Sequence, residues 1–288
     1  VYNYITLAAV KRYIGGGIDT SDDALLLEFI AWAARLVEVW KDRRYDPRLE
    51  SRVYDTPHPG GSMFGVYDAS LMAGASNRVL RLDEDLLEVV ELTNGDGTVI
   101  AEAEYVLEPA NIYPKNRIRL RSGQIWLESD SGPEQAISLS ALWGYHDRWG
   151  DAWKTADTVQ DDPLSSNAVT VTITDAAKFE AGQLLRLGSE YELIEAVNDN
   201  DPASDTLTVE RGFNGTTAVE HAKNSAIEIF QPFGTIQQIC VRLVKWRYAQ
   251  KNVDVFDQSY VVGSGVMTTP SSIPADVARI LGARKVVI

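Results

Sequence analysis

The segment SDDALLLEFIAWAARLVEVWKDRRY, residues 21–45, is the longest run in the chain that holds one secondary-structure period without glycine or proline. It predicts a single long helix. Ser21 is placed to act as N-cap, and Asp22 and Asp23 put negative charge at the positive end of the helix dipole. Lys41, Arg43 and Arg44 put positive charge at the other end. At about 100° per residue, Leu26, Phe29, Ile30, Ala33, Val37 and Trp40 form one stripe. Leu25, Trp32, Leu36 and Val39 widen it along one flank, leaving only Glu28, Arg35, Glu38 and Asp42 polar. A surface helix needs an apolar face roughly 100° wide, and this one is wider. Two surfaces are therefore expected on it, the chain's own core and a neighbouring subunit against Leu25, Trp32, Leu36 and Val39. A helix central to one large core fits the same pattern.

At 288 residues the chain reaches the length at which single cores split into domains. No window approaches the roughly 18 consecutive apolar residues of a membrane span, so no membrane partner is expected. No charged region followed by an apolar one appears at the start of the sequence, which begins at Val1 and leaves a removed leader open. The lone cysteine, Cys240, forms no intrachain disulfide and no thiolate metal site, and reads as a small core residue of a reducing compartment. A net charge of −14 argues against a surface that grips duplex DNA, because that grip comes from Lys and Arg displacing counterions. An acidic wall would instead let DNA slide past, although acidity also serves solubility alone.

Before the long helix, residues 5–14 predict a short one with Thr6 as N-cap, closed by Gly15, Gly16 and Gly17. After it, residues 52–58 alternate like a strand, and 59–75 form a long Gly- and Ser-rich loop. Strands are expected at 77–82, 86–92, 98–101, 105–107, 117–120, 124–127 and 136–143, with a hairpin turn at Asn94-Gly95-Asp96-Gly97. Residues 147–162 read as a linker. Further strands are expected at 168–173, 184–187, 191–196, 207–210 and 226–230, a small barrel or sandwich with turns at Gly182, Gly188 and 198–205. Helix resumes at Thr235, with Gln238 completing a capping box, and runs to Gln250. Its stripe of Ile236, Ile239, Cys240, Leu243 and Trp246 is the expected partner of the long helix. A Gly/Ser/Thr-rich stretch, 263–272, leads to a short helix at 274–281 and the end ARKVVI.

The expected fold class is therefore α+β. A helical bundle (1–50 and 233–288) carries an antiparallel β-domain (51–147) and an inserted small β-barrel or sandwich domain (148–232).

Chemistry is hard to assemble from these residues. His58, His146 and His221 fall in different segments, without metal-ligand spacing. His146 beside Asp147 would point to opposite faces of a strand. There is no nucleophile elbow and no phosphate-binding glycine loop. No catalytic residue, metal or cofactor is expected, and the chain reads as a non-enzyme.

The order of elements resembles the head-to-tail adaptor, or head-completion, proteins of tailed bacteriophages. The resemblance rests on a short helix, then a long one ending Arg43-Arg44-Tyr45-Asp46-Pro47, then Arg52, the Asn94–Gly97 hairpin, and Tyr105, Pro109 and Pro114. It extends to Leu142-Trp143-Gly144-Tyr145-His146 with Trp149 and Trp153. Gly182-Gln183, Gly188-Ser189-Glu190 and the run from Val209 through Arg211-Gly212-Phe213-Asn214-Gly215-Thr216-Thr217 to His221 are similar to a β-module of phage neck and tail proteins. The tight-turn chemistry of Gly212, Asn214 and Gly215, braced by Arg211 and His221, would account for that run equally.

The resemblance implies a virion protein assembled in the host cytoplasm. It would form a homo-oligomeric ring of about twelve subunits beneath the portal protein, extend the DNA channel without specific DNA binding, and dock a tail, stopper or neck protein. The helix flank would then meet the next subunit. Ile280, Leu281, Arg284, Lys285, Val286, Val287 and Ile288 would bind the portal, ordering on contact. A tail-side terminator or stopper ring is the alternative of the same class. A carbohydrate-binding or hydrolytic virion protein using Trp143, Tyr145, Trp149 and Trp153 as a sugar platform is the alternative of another.

Overall fold

The structure is a computed structural model. It describes residues 2–15, 17–57, 78–199, 205–251, 259–260, 267–268 and 273–282. The first elements are α1 (Leu7–Ile14), α2 (Asp23–Lys41), β1 (Arg48–Tyr54), β2 (Val79–Thr93), β3 (Tyr105–Glu108), β4 (Lys115–Leu120) and β5 (Ile137–Trp143). Then come β6 (Trp153–Thr158), β7 (Thr170–Thr172), β8 (Leu184–Leu187), β9 (Glu190–Asn198), β10 (Thr206–Glu210) and β11 (Ala226–Phe230). The chain closes with α3 (Gly234–Ala249), β12 (Ser259–Tyr260), β13 (Met267–Thr268) and α4 (Ala275–Gly282). Mixed helices and antiparallel sheets make the chain α+β. It divides into two compact units, one of Val1–Tyr45, Trp153–Phe213 and Thr217–Ile288, the other of Asp46–Ala152 with Asn214–Thr216.

In the first unit, α1 begins as expected, with the Thr6 hydroxyl accepting from the Ala9 N–H at 3.0 Å. The entry to α2 differs. Asp19, not Ser21, provides the cap, accepting from the Ser21 N–H at 3.2 Å and opening a 3-10 turn ahead of the helix. Asp22 is thereby free to accept from the Tyr248 hydroxyl and Lys251 at the end of α3, each at 2.6 Å. At the other end, Asp42 turns left-handed (φ 49°, ψ 47°), so α2 stops at Lys41 instead of running to Tyr45. Leu26, Ile30, Ala33 and Val37 of the expected stripe are buried, but Trp40 is exposed and Glu38 is buried. Glu38 is tolerated inside because the Tyr4 hydroxyl donates to it at 2.6 Å and Arg35 pairs with it at 2.6 Å. The α3 capping box does not form, since the helix starts at Gly234 and Thr235 already lies inside its first turn. α3 packs on α1, α2 and α4, with Ile236, Ile239, Cys240, Leu243 and Val244 buried.

The 6-stranded antiparallel sheet of this unit has the order β6-β11-β8-β9-β10-β7. It is not a sandwich, nor does it close into a barrel: among the described residues its edge strands, β6 and β7, share no ladder. Its strands nonetheless contribute to one core, from Val171 on β7 to Ile229 on β11, with Ala156 of β6 packed against it. The segment expected as a linker supplies β6, whose partner β11 lies far downstream. The helices expected as a separate core share this unit through a run of aromatic contacts. Tyr45 meets Tyr4 (5.7 Å between ring centroids), Tyr4 meets Tyr2 (5.8 Å), and Tyr2 meets Phe230 (6.0 Å). Phe230 meets Trp153 (5.2 Å), and Trp153 meets Tyr191 (5.1 Å).

The second unit is a 5-stranded antiparallel sheet of order β1-β5-β2-β4-β3. The strands expected at 77–82 and 86–92 are one strand, β2, whose register shifts between Arg81 and Leu86 as it passes from β4 to β5. Thr98–Ala101 gives only a bridge between Thr93 and Val99, and 124–127 forms no strand. The turn holds that segment by side chain instead: Asn94 accepts from the Leu127 N–H at 2.8 Å and donates to Ile125 O at 3.1 Å. A Cβ at Gly95 would collide with Leu127 O. Trp126 and Trp143 lie in the core of this unit, and Arg52 lies 4.5 Å over the Trp143 ring. Asn214, left-handed at φ 53°, donates to Asp46 Oδ2 and Pro47 O at 2.9 Å each.

Candidate functional site

The expected interface flank on α2 is unevenly covered. Leu25, Trp32 and Leu36 are half-buried, while Val39 is 75% exposed. Trp32 is partly occupied within the chain, stacked on Trp246 at 6.4 Å with Arg247 4.8 Å over its ring. Leu27 and Trp40 are also exposed. Of the expected portal contacts, Ile280 is exposed and its carbonyl accepts from Lys41 at 2.6 Å. Leu281 is buried with Val277 and serves the chain's own packing. Arg284, Lys285, Val286, Val287 and Ile288 lie outside the described residues, as do His58, the 59–75 loop and most of 263–272. Among the described residues, no helix is long and apolar enough to cross a membrane.

His146 lies in the loop after β5, not on a strand, and its Nδ1 accepts from the Arg148 N–H at 3.0 Å. The four-aromatic sugar platform is not presented. Trp143 and Trp149 are buried, with their ring N–H groups directed at Glu50 O (2.9 Å) and Glu88 Oε2 (3.4 Å). Cys240 is buried too, and burial pushes its thiol up to about 12.

A buried polar cluster lies where β9 and β10 run side by side in the first unit. Glu190 and Glu192 sit two residues apart on β9 and so leave the same face of the strand. Leu187 and Leu185 oppose them on β8, and both belong to the apolar core. Arg211 follows β10 and is buried, with all five of its N–H groups engaged. Nε and Nη2 donate to the two oxygens of Glu190 at 2.7 and 2.8 Å. The other three reach Ser165 O (3.0 Å), Ala168 O (2.9 Å) and Val219 O (2.7 Å). The Gly212 and Val219 N–H groups add to Glu190 at 3.0 Å each, and His221 Nε2 lies 2.9 Å from Glu190 Oε2. A carboxylate only accepts, so His221 carries its proton on Nε2. Burial alone would raise Glu190; the donors from Arg211, Val219, His221 and Gly212 outweigh it and hold the carboxyl down to about 2.

Chemically, this arrangement fixes the 211–221 segment against β9 and the 165–168 turn. Donor atoms of Glu190, Glu192 and His221 lie within 4.8 Å of one another, the one such group found among the described residues. They do not fit a metal ion well, because the guanidinium of Arg211, 2.7 Å from Glu190 and 2.8 Å from Glu192, already supplies the cation. The expected bracing role of Arg211 and His221 is thus exerted through Glu190. That partner was missed, although the Glu-x-Glu alternation leading into Ile194 places two carboxyls on a core-facing side.

No protein-family model, no curated protein and no solved structure matches the chain.

Proposed function

We propose that the chain is a structural subunit of a phage head-to-tail connector, an adaptor that assembles as a ring beneath the portal, extends the DNA channel and offers a docking face to the tail. The observation that carries this is the flank of α2 shared by Leu25, Trp32, Leu36 and Val39, where Val39 is 75% exposed on a helix whose opposite side is packed. Covering such side chains contributes on the order of 1.5–3 kcal/mol each, and a heterologous contact with the next copy of a closed ring would cover them. Leu25, Trp32 and Leu36, half-buried beside Val39, would complete that contact. A net charge of −14 suits a channel wall from which phosphates are repelled. The portal contact is assigned to Arg284–Ile288 with exposed Ile280.

Negative-stain images of the purified chain mixed with portal test the proposal. A ring stacked on the portal is expected, and Val39→Glu should disperse the ring while leaving the melting temperature of the subunit nearly unchanged. Truncation after Gly282 keeps Val277 and Leu281, so it should retain the ring and abolish portal binding. A chain that stays monomeric and ignores the portal overturns the proposal. Rings that capture tail tube but not portal would make it a tail-side terminator instead.

A further inference from the structure

The cluster on β9 holds two carboxyls and one cation, and the hydrogen bonds are shared very unequally. Glu190 takes every donor aimed at the pair. Glu192 is fully buried, and neither of its oxygens receives a hydrogen bond. Arg211 Nε lies 2.8 Å from Glu192 Oε1, yet its N–H is directed at Glu190 Oε1. Across the sheet Glu192 faces Leu185 on β8 and, beyond it, Ile229 on β11. The charged residues of those two strands, Arg186 and Glu228, pair with each other one position away, on the other face. Glu210 of β10 is exposed. The groups that act on Glu192 are therefore Glu190, Arg211 and, behind Glu190, His221.

An ionised carboxylate in this place lacks the donors that make a buried charge tolerable, whereas a neutral acid does not need them. Glu190 cannot take the neutral role, because the donors around it are matched to a charged acceptor. We propose that Glu192 is held as the neutral carboxylic acid in the folded protein, so that the sheet carries one buried proton and loses stability when that proton leaves as pH rises through neutrality. Burial raises the Glu192 carboxyl to about 7, with the pull of Arg211 offset by the charge of Glu190. In the unfolded chain the same group titrates near 4.5. Between these values the folded state binds the extra proton, so the stabilisation is full below about pH 4.5 and is lost as pH climbs through 7.

The test compares urea unfolding of the full chain and of Glu192→Gln at about pH 5.5 and about pH 8.5. Glutamine keeps the shape and has no proton to lose, while every other residue of the cluster is common to both proteins. The ratio of the wild-type unfolding constant to that of the variant should rise about 30-fold between the two pH values. An unchanged ratio overturns the proposal. Should Glu192→Gln fail to fold, infrared spectra of the wild-type chain with 13C-labelled glutamate decide instead. A protonated-carboxyl carbonyl band at about pH 6 that vanishes by about pH 8.5 supports the proposal, and absence of the band at pH 6 refutes it.

Discussion

Replacing Arg211 by lysine should destabilise the first unit by about 2–4 kcal/mol, although the charge is conserved. Arginine here uses five N–H groups in a rigid fork, two on Glu190 and three on the carbonyls of Ser165, Ala168 and Val219. An ammonium has three donors at a single point, so at least two of these acceptors lose their partner. Two lost hydrogen bonds, at about 1–2 kcal/mol each because water can partly replace those at the exposed Ser165 and Val219, set the range. Arg211→Ala should cost more, about 3–5 kcal/mol, because the Glu190 carboxylate is then left buried without a counter-charge. Urea unfolding at pH 7 reads the effect as a midpoint shift, with m-values of about 1–3 kcal/mol/M. Hydrogen exchange localises it: residues 164–221 should lose protection while β1 to β5 keep theirs. If Arg211→Lys unfolds within about 0.5 kcal/mol of wild type, the claim that the fork geometry carries this segment is wrong.

Two further outcomes follow from single positions. Gly215 sits at φ +84° with Leu49 O where a Cβ would be, whereas Gly182 at φ +89° faces open space. Gly215→Ala should therefore cost clearly more than the roughly 1 kcal/mol expected of Gly182→Ala, and equal melting temperatures would remove the argument from close approach. Glu190, held down to about 2, contributes stability that is complete above the unfolded value near 4.5 and lost as pH falls toward 2, on the order of 3 kcal/mol. Glu190→Gln should flatten that acid limb of the stability curve, and a limb as steep as wild type's would exclude Glu190 as its source.

Several elements could be read from the sequence because their causes lie within a few residues. Thr6 caps α1 through a bond to Ala9, three positions away. The alternation of Ala226–Phe230 gives β11 its bounds, and Asn94-Gly95 turns the chain where expected. The packed stripe on α2 follows from spacing alone for Leu26, Ile30, Ala33 and Val37. What failed depended on distant partners. Residues 153–158 carry too few apolar side chains to announce a strand, and only β11 makes them one. Glu38 belongs to a polar strip by period, and Tyr4 takes it inside. Of the cluster, Arg211, Gly212 and His221 stood out as turn chemistry, but nothing local distinguishes Glu190, which takes the donors, from Glu192, which takes none. The sequence by itself determined the periods, turns and one capping residue, since these arise from contacts a few residues apart. The tertiary structure alone decided which strands pair, which half-apolar faces are covered, and which of two identical side chains carries a charge. Those outcomes depend on burial and on donors brought in from segments far away along the chain.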